Sequence, residues 1–111
     1  MKYMLLLADG DPSLGPPELN AYPPLLAWLR KTEEAGIHHR GARLRPASES
    51  VTVRVRGGEL VVTDGPYADT KEHVGGFGII ECEDLDQAIE VAGGHPSAAG
   101  FVEIRPFPEE D

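Results

Sequence analysis

The chain has 111 residues, 10 basic against 19 acidic, and a formal net charge of −9. That length fits a single domain over residues 1–111, able to bury about two-thirds of its unfolded surface without disulfide or metal support. The acidic field repels phosphate backbones and anionic lipid, which argues against direct nucleic-acid or membrane binding.

Cys82 stands alone, so no internal disulfide can form, and a reducing cytoplasmic setting is expected. The opening "MKYMLLLADGD" is too short in its apolar part for a secretory leader, and Asp9 and Asp11 interrupt it. No segment approaches the roughly 20 apolar residues of a membrane span.

In chain order, "KYMLLLA" predicts a central strand buried on both faces. "DPSLGPPELNAYPP" predicts a surface loop. "LLAWLRKTEEAG" predicts a helix, with Pro23 and Pro24 tolerated in its first turn and Gly36 capping its end. Leu25, Leu26 and Leu29 are its expected apolar stripe. Ile37 to Pro46 is a basic connector, with a short strand around Ala42 to Leu44.

"VTVRVRGGELVVT" alternates at period two on both sides of Gly57-Gly58, which predicts a tight hairpin. Its register follows from the turn: Arg56 faces Glu59, Val55 faces Leu60, Val53 faces Val62 and Thr52 faces Thr63. Val53, Val55, Leu60 and Val62 then form one face, expected to be buried.

"VGGFGIIEC" predicts a further strand. "EDLDQAIEVAGG" predicts a helix capped by Asp84 and Gln87, with Leu85, Ala88, Ile89 and Ala92 on one face. "FVEIRPF" predicts a closing strand. The order is that of an α+β, ferredoxin-like antiparallel sheet with two helices on one face. The opposite sheet face is left bare, on the order of 10² Å² of apolar surface. A two-fold homodimer with its sheets face to face would cover it.

Three stretches carry a resemblance: "MKYMLLLADGD", "VTVRVRGGELVVTDGPYADTKEHVGGFGIIE" and "VEIRP". Together they resemble the YCII-related superfamily, and within it the DGPF branch with its D-G-P-F-x-E-T-K-E hallmark. That hallmark is matched by Asp64, Gly65, Pro66, Tyr67, Asp69, Thr70, Lys71 and Glu72, followed by Gly75-Gly76.

The resemblance implies a ferredoxin-like fold assembled as a dimeric α/β barrel. Distant relatives on this fold include lactone isomerases and a dehydrochlorinase, and DGPF proteins are often encoded beside extracytoplasmic-function sigma factors. Some YCII-related proteins have been proposed to use a His–Asp pair with an early histidine. This chain has no histidine before His38, so that pair does not transfer. Ala8 and Gly78 stand where relatives often carry aromatic rings. The exchange either enlarges a pocket or leaves space for Trp28 or Phe101 to fill.

The segment Asp64 to His73 concentrates the chemistry. Asp64-Gly65-Pro66 is ordinary turn chemistry. The run Thr70, Lys71, Glu72 and His73 is not. On an extended backbone Lys71 and His73 share a side, where an ammonium and an imidazole could hold an anion and move a proton near neutral pH. His73, Asp64 and Lys71 are therefore the expected catalytic groups, with Tyr67, Asp69, Thr70 and Glu72 as ligand contacts.

Adjacent His38 and His39 would point to opposite faces of a strand and cannot share one metal, so no metal site is expected. His95-Pro96 reads as the end of the second helix, and Cys82 as a buried, inert thiol. The functional expectation is a cytoplasmic homodimer performing cofactor-free acid–base chemistry, isomerisation or elimination, on a small polar metabolite. The alternative is a non-catalytic ligand sensor or a regulatory partner of a sigma factor.

Overall fold

The computed structural model describes residues 1–9, 22–68 and 72–109. Its strands are β1 (Lys2–Ala8), β2 (His38–Arg43), β3 (Val51–Arg56), β4 (Glu59–Asp64), β5 (Val74–Glu81) and β6 (Val102–Pro106). Its helices are α1 (Pro23–Glu34) and α2 (Leu85–Gly93), with 3₁₀ turns at Ala47–Glu49 and Pro96–Ala99. The expected α+β class, with two helices and antiparallel pairing, is what forms. Four strands make one sheet in the order β2-β5-β1-β6, and β3-β4 make a separate two-stranded sheet. Among the described residues no closed barrel forms.

β1 is central, paired antiparallel to β5 on one side and β6 on the other. Both of its backbone edges are therefore satisfied inside the sheet, and its side chains alternate between faces. Tyr3 and Leu5 meet Ile80, Trp28, Ile37, Ala88 and Ala92 in the core, with Leu7, Val102 and Ile104 packed against it. Met4 and Leu6 point the other way, paired with Ile79 and Phe77. No helix among the described residues covers that second face, where Met4 and Leu6 are half-buried, so the expectation of β1 buried on both faces is met in full on only one.

The first helix starts at Pro23, with prolines at the positions where the amide has no intrahelical partner. Its buried residues are Trp28 and Thr32, with Leu25 and Leu29 against the core. Leu26, expected in the stripe, is exposed. The spacing 25, 28, 29, 32 is the continuous helical face, and Leu26 lies off it.

The second helix carries the expected cap. Gln87 N–H donates to Asp84 Oδ1 at 2.9 Å, and Glu83 N–H donates to Gln87 Oε1 at 2.7 Å. Ala88 and Ala92 are buried, whereas Leu85 and Ile89 are exposed.

Two differences shape the molecule. The connector after α1 is a full strand, β2, on the sheet edge. Its sequence lacks an apolar alternation because an edge strand exposes most of its side chains. It approaches β5 closely: a Cβ at Gly41 would stand 2.3 Å from the Phe77 carbonyl oxygen. Only glycine fits there.

The hairpin has the expected register throughout, with Gly57 and Gly58 at φ 57° and 81°, the left-handed pair that a type I′ turn demands. Its Val face, however, is not buried: Val53, Val55, Leu60 and Val62 are all more than half exposed. The hairpin stands off the main body as an arm. A radius of gyration of 16.0 Å and extents of 49 × 44 × 20 Å reflect this, since a compact chain of this length has about 13 Å.

Among the described residues, no helix is long and apolar enough to cross a membrane. Gly41→Ala should cost about 2–3 kcal/mol, at the upper end of overpacking penalties, because the clash is with backbone. Gly78→Ala, whose new methyl would meet the His39 ring nitrogen at 2.9 Å, should cost less, since a ring can move. Thermal melts of the two variants side by side check this order.

Candidate functional site

The polar residues gather at one end of the main sheet, where β1 ends, β5 begins and the chain returns from the arm. Asp9 N–H donates to the His73 carbonyl at 3.0 Å, and Leu44 N–H donates to the Gly75 carbonyl at 2.8 Å. These bonds tie the end of β1 and the exit of β2 to the start of β5. The Asp9 carboxylate lies directly over Gly75, where a Cβ would stand 2.2 Å from Asp9 Oδ1. The first glycine of the Gly75-Gly76 pair thus makes room for an acid. Asp9 sits beside the His73 backbone although the two are far apart in sequence.

Asp64 is the last residue of β4 and is exposed. Gly65 after it is anchored by its N–H to the Ser50 carbonyl at 2.8 Å and by its carbonyl to Thr52 Oγ1 at 2.7 Å. Arg54 reaches the Tyr67 carbonyl at 3.5 Å, and the Tyr67 ring is 82% exposed. His73 is half-buried and Glu72 is exposed. Asp69, Thr70 and Lys71 lie outside the described residues. Among the described members of the predicted set, only His73 is brought against the end of the main sheet. Asp64 and Tyr67 stay with the base of the arm.

Sequence reasoning missed Asp9. Its signal was faint: an acidic residue at the end of an apolar strand, which also reads as ordinary loop polarity.

A second cluster lies on the helix face of the sheet. The Trp28 indole meets His39 edge-on at 4.9 Å between ring centres and His95 at 4.7 Å, while its Nε1–H donates to the Val91 carbonyl at 2.8 Å. His39 and His38 do point to opposite faces of β2, as adjacent strand residues must. The His39 ring fills the space beside Gly78. At Ala8 the methyl touches the turn at Gly100, 3.0 Å from where a Cβ there would sit. The space beside Gly78 is therefore occupied by His39 with Trp28, and that beside Ala8 by the Gly100 turn.

His95 does not end α2. It caps the following 3₁₀ turn, its Nδ1 accepting from Ser97 N–H at 3.0 Å. Burial pushes the His95 imidazole down to about 4, helped by the nearby His39. Burial also lowers His39, with a further push from His38. Two neutral imidazoles therefore flank the indole at neutral pH.

Two open grooves lie at the other end of the sheet. One of about 410 Å³ is lined by Leu29, Thr32, Glu33, Gly36, Ile37, His38 and His39. The other, about 360 Å³, runs past Met1, Gly36, Glu81, Cys82 and Gln87. Neither reaches the described part of the Asp64–His73 segment. Cys82 is half-buried, its thiol pushed up by burial and bonded to the Asp84 carbonyl at 3.5 Å, the profile of an unreactive sulfur. Among the described residues, no three His, Cys, Asp or Glu side chains converge as metal ligands would.

Comparison with known proteins agrees with the residues. A family model described as the YCII-related domain matches residues 1–109. The chain belongs to the YCII-related family. It is also 42% identical over 87 residues to an uncharacterised protein of Rhizobium meliloti (strain 1021), an alignment covering 75% of this chain and 69% of that one.

The depressed His95 sets a pH prediction. The unfolded chain binds a proton at this imidazole below about 6.5, whereas the folded chain resists until about 4. Stability is therefore full above 6.5 and falls as pH drops from 6.5 to 4, by at most roughly 3 kcal/mol from this group. His95→Asn keeps an acceptor for the Ser97 amide without titrating. It should flatten the slope of melting temperature against pH across that window.

Proposed function

We propose that this YCII-related protein is a DGPF-type, cytoplasmic homodimer that binds a small polar metabolite and carries out proton-transfer chemistry on it. The observation that carries the reading is the Asp9–His73 bond at 3.0 Å, with the Asp9 carboxylate lying on Gly75. It gathers a carboxylate and an imidazole-bearing segment at the mouth of the main sheet. In sequence Lys71 lies two residues before that histidine.

In this reading His73 moves the proton, Lys71 holds an anionic group of the substrate, and Asp9 or Asp64 orients the imidazole. Tyr67, Asp69, Thr70 and Glu72 line the approach. Isomerisation or elimination fits, because each needs only a base, an acid and a charge clamp. The ferredoxin-like sheet supports the dimer: its helix-free face carries Met4, Leu6, Phe77 and Ile79, and a second copy would cover them.

A second reading rests on the exposure of Tyr67 and Asp64. Side chains turned to solvent at the base of an arm suit recognition as well as catalysis. The protein would then be a non-catalytic ligand sensor, or a regulatory partner of an extracytoplasmic-function sigma factor.

Screening candidate metabolites for turnover and for thermal stabilisation separates the two. On the catalytic reading, His73→Gln and Asp9→Asn each lower turnover about 10²–10⁴-fold at unchanged melting temperature, and Lys71→Met raises KM for an anionic substrate. Metabolites that raise the melting temperature while no turnover is found support the sensor.

A further inference from the structure

The end of β1 is where the sheet ladder stops being regular. Leu7 pairs with Gly76 of β5, but Ala8 pairs with Val74, so the register shifts between Leu7 and Ala8. A shift of this kind bends the strand and re-aims the side chains beyond it. Asp9 is the next residue, and the ladder alone does not set where its carboxylate stands.

The segment from His95 to Phe101 supplies the missing hold. Ala8 N–H donates to the Phe101 carbonyl at 3.1 Å, and Ser97 Oγ donates to the Ala8 carbonyl at 3.3 Å. Both backbone groups of Ala8 are thus taken by this one segment. It also packs so near that a Cβ at Gly100 would stand 3.0 Å from the Ala8 methyl. Asp9 follows directly, and its own N–H goes the other way, to the His73 carbonyl at 3.0 Å.

Ser97 is held in turn. Its N–H donates to His95 Nδ1 at 3.0 Å, and it follows Pro96, whose ring fixes the backbone entering the turn. An Nδ1 that accepts leaves the ring proton on Nε2, so this bond exists only while the imidazole is neutral. The surroundings of His95 keep it so. The ring meets the Trp28 indole of α1 at 4.7 Å, and the His95 N–H donates to the Ala92 carbonyl of α2 at 3.0 Å. On β2, His39 is the titratable group that bears on it, and no carboxylate among the described residues offsets a charge there.

We propose that Ser97 is a positioning residue for the Asp9–His73 junction, and that His95 holds Ser97 in place only in its neutral form, so that acid loosens the junction. This rests on the proton-transfer reading above and names what regulates its site. With the Ser97 hydroxyl in place, Ala8 cannot swing away from the turn, and the Asp9 carboxylate stays over Gly75. Without it, Asp9 is held only by its own N–H and by the Phe101 bond one residue back.

Amide hydrogen exchange, followed by NMR on the whole chain, tests this without a substrate. The Asp9 amide reads the junction, and the Leu5 amide, opposite Gly78 at the centre of β1, reads the strand as a whole. Ser97→Ala should lower Asp9 protection about fivefold, the change that one net hydrogen bond makes, while Leu5 keeps its protection. Ser97→Thr, which retains the hydroxyl, should restore it. Equal loss at Asp9 and Leu5 overturns the proposal in favour of a merely structural turn, and an unchanged Asp9 overturns it outright.

A second arm compares the wild type with His95→Asn, which keeps an acceptor for Ser97 and does not titrate. As pH falls through about 4, Asp9 protection should drop relative to Leu5 in the wild type and hold in His95→Asn. The difference between the two proteins isolates His95 from other groups that titrate in acid. An equal drop in both, or a drop in neither, overturns the role given to His95. Because exchange needs no turnover, the two readings fail separately. Turnover indifferent to Asp9→Asn sinks the proton-transfer reading, whereas the exchange ratios alone decide whether Ser97 positions Asp9.

Discussion

The molecule depends on one strand that is apolar on both sides while the helices of the described residues cover only one. β1 donates and accepts along both edges, to β5 and β6, so it cannot leave the centre of the sheet. Tyr3 and Leu5 are buried beneath the helices, and each such side chain contributes about 1.5–3 kcal/mol relative to exposure. Met4 and Leu6 on the reverse are half-buried and gain less. The covered side explains why the fold forms. The side without a helix is where the homodimer proposed above would pack its second copy.

The helix layer shows a different economy. Gly78 and Ala8 are small where the sheet passes under α1 and the 3₁₀ turn, and the space beside Gly78 takes an imidazole. His39 and His95 then meet the edges of one indole, an arrangement worth about 0.5–1.5 kcal/mol per aromatic pair beyond area burial. It carries a condition. Either imidazole would gain its charge inside a partly dry layer and beside another ring that could also charge, so both are held neutral. A core built this way is stable at neutral pH and weakens in acid, which an aliphatic core of the same volume would not do.

How far the chain was legible follows from where its information lay. Period-two alternation around Gly57-Gly58 set the hairpin register residue by residue, and Asp84 with Gln87 set the helix start, because local chemistry decides both. Whether the hairpin's Val face is covered is a tertiary fact, and alternation alone read it as buried. β2 was read only as a short strand around Ala42 to Leu44 for a related reason: an edge strand needs no apolar pattern, and its decisive residue, Gly41, is demanded by the neighbouring strand and not by its own. Trp28 was visible but left out of the expected stripe, and the three leucines took its place. Asp9 was seen only as the end of an apolar run, since nothing near it in sequence hints at His73.

The arm and the polar segment meet at Asp64 and Gly65, and that junction ties the two together. β4 ends at Asp64, and the next residue, Gly65, is held at its N–H by Ser50, just before the opposite arm strand, and at its carbonyl by Thr52 within it. At the far end the segment is held by the Asp9–His73 bond to the main sheet. Asp64 and Tyr67 thus keep to the base of the arm while His73 and Asp9 keep to the main sheet, so a ligand that needs all of these groups at once has to engage both ends of the segment.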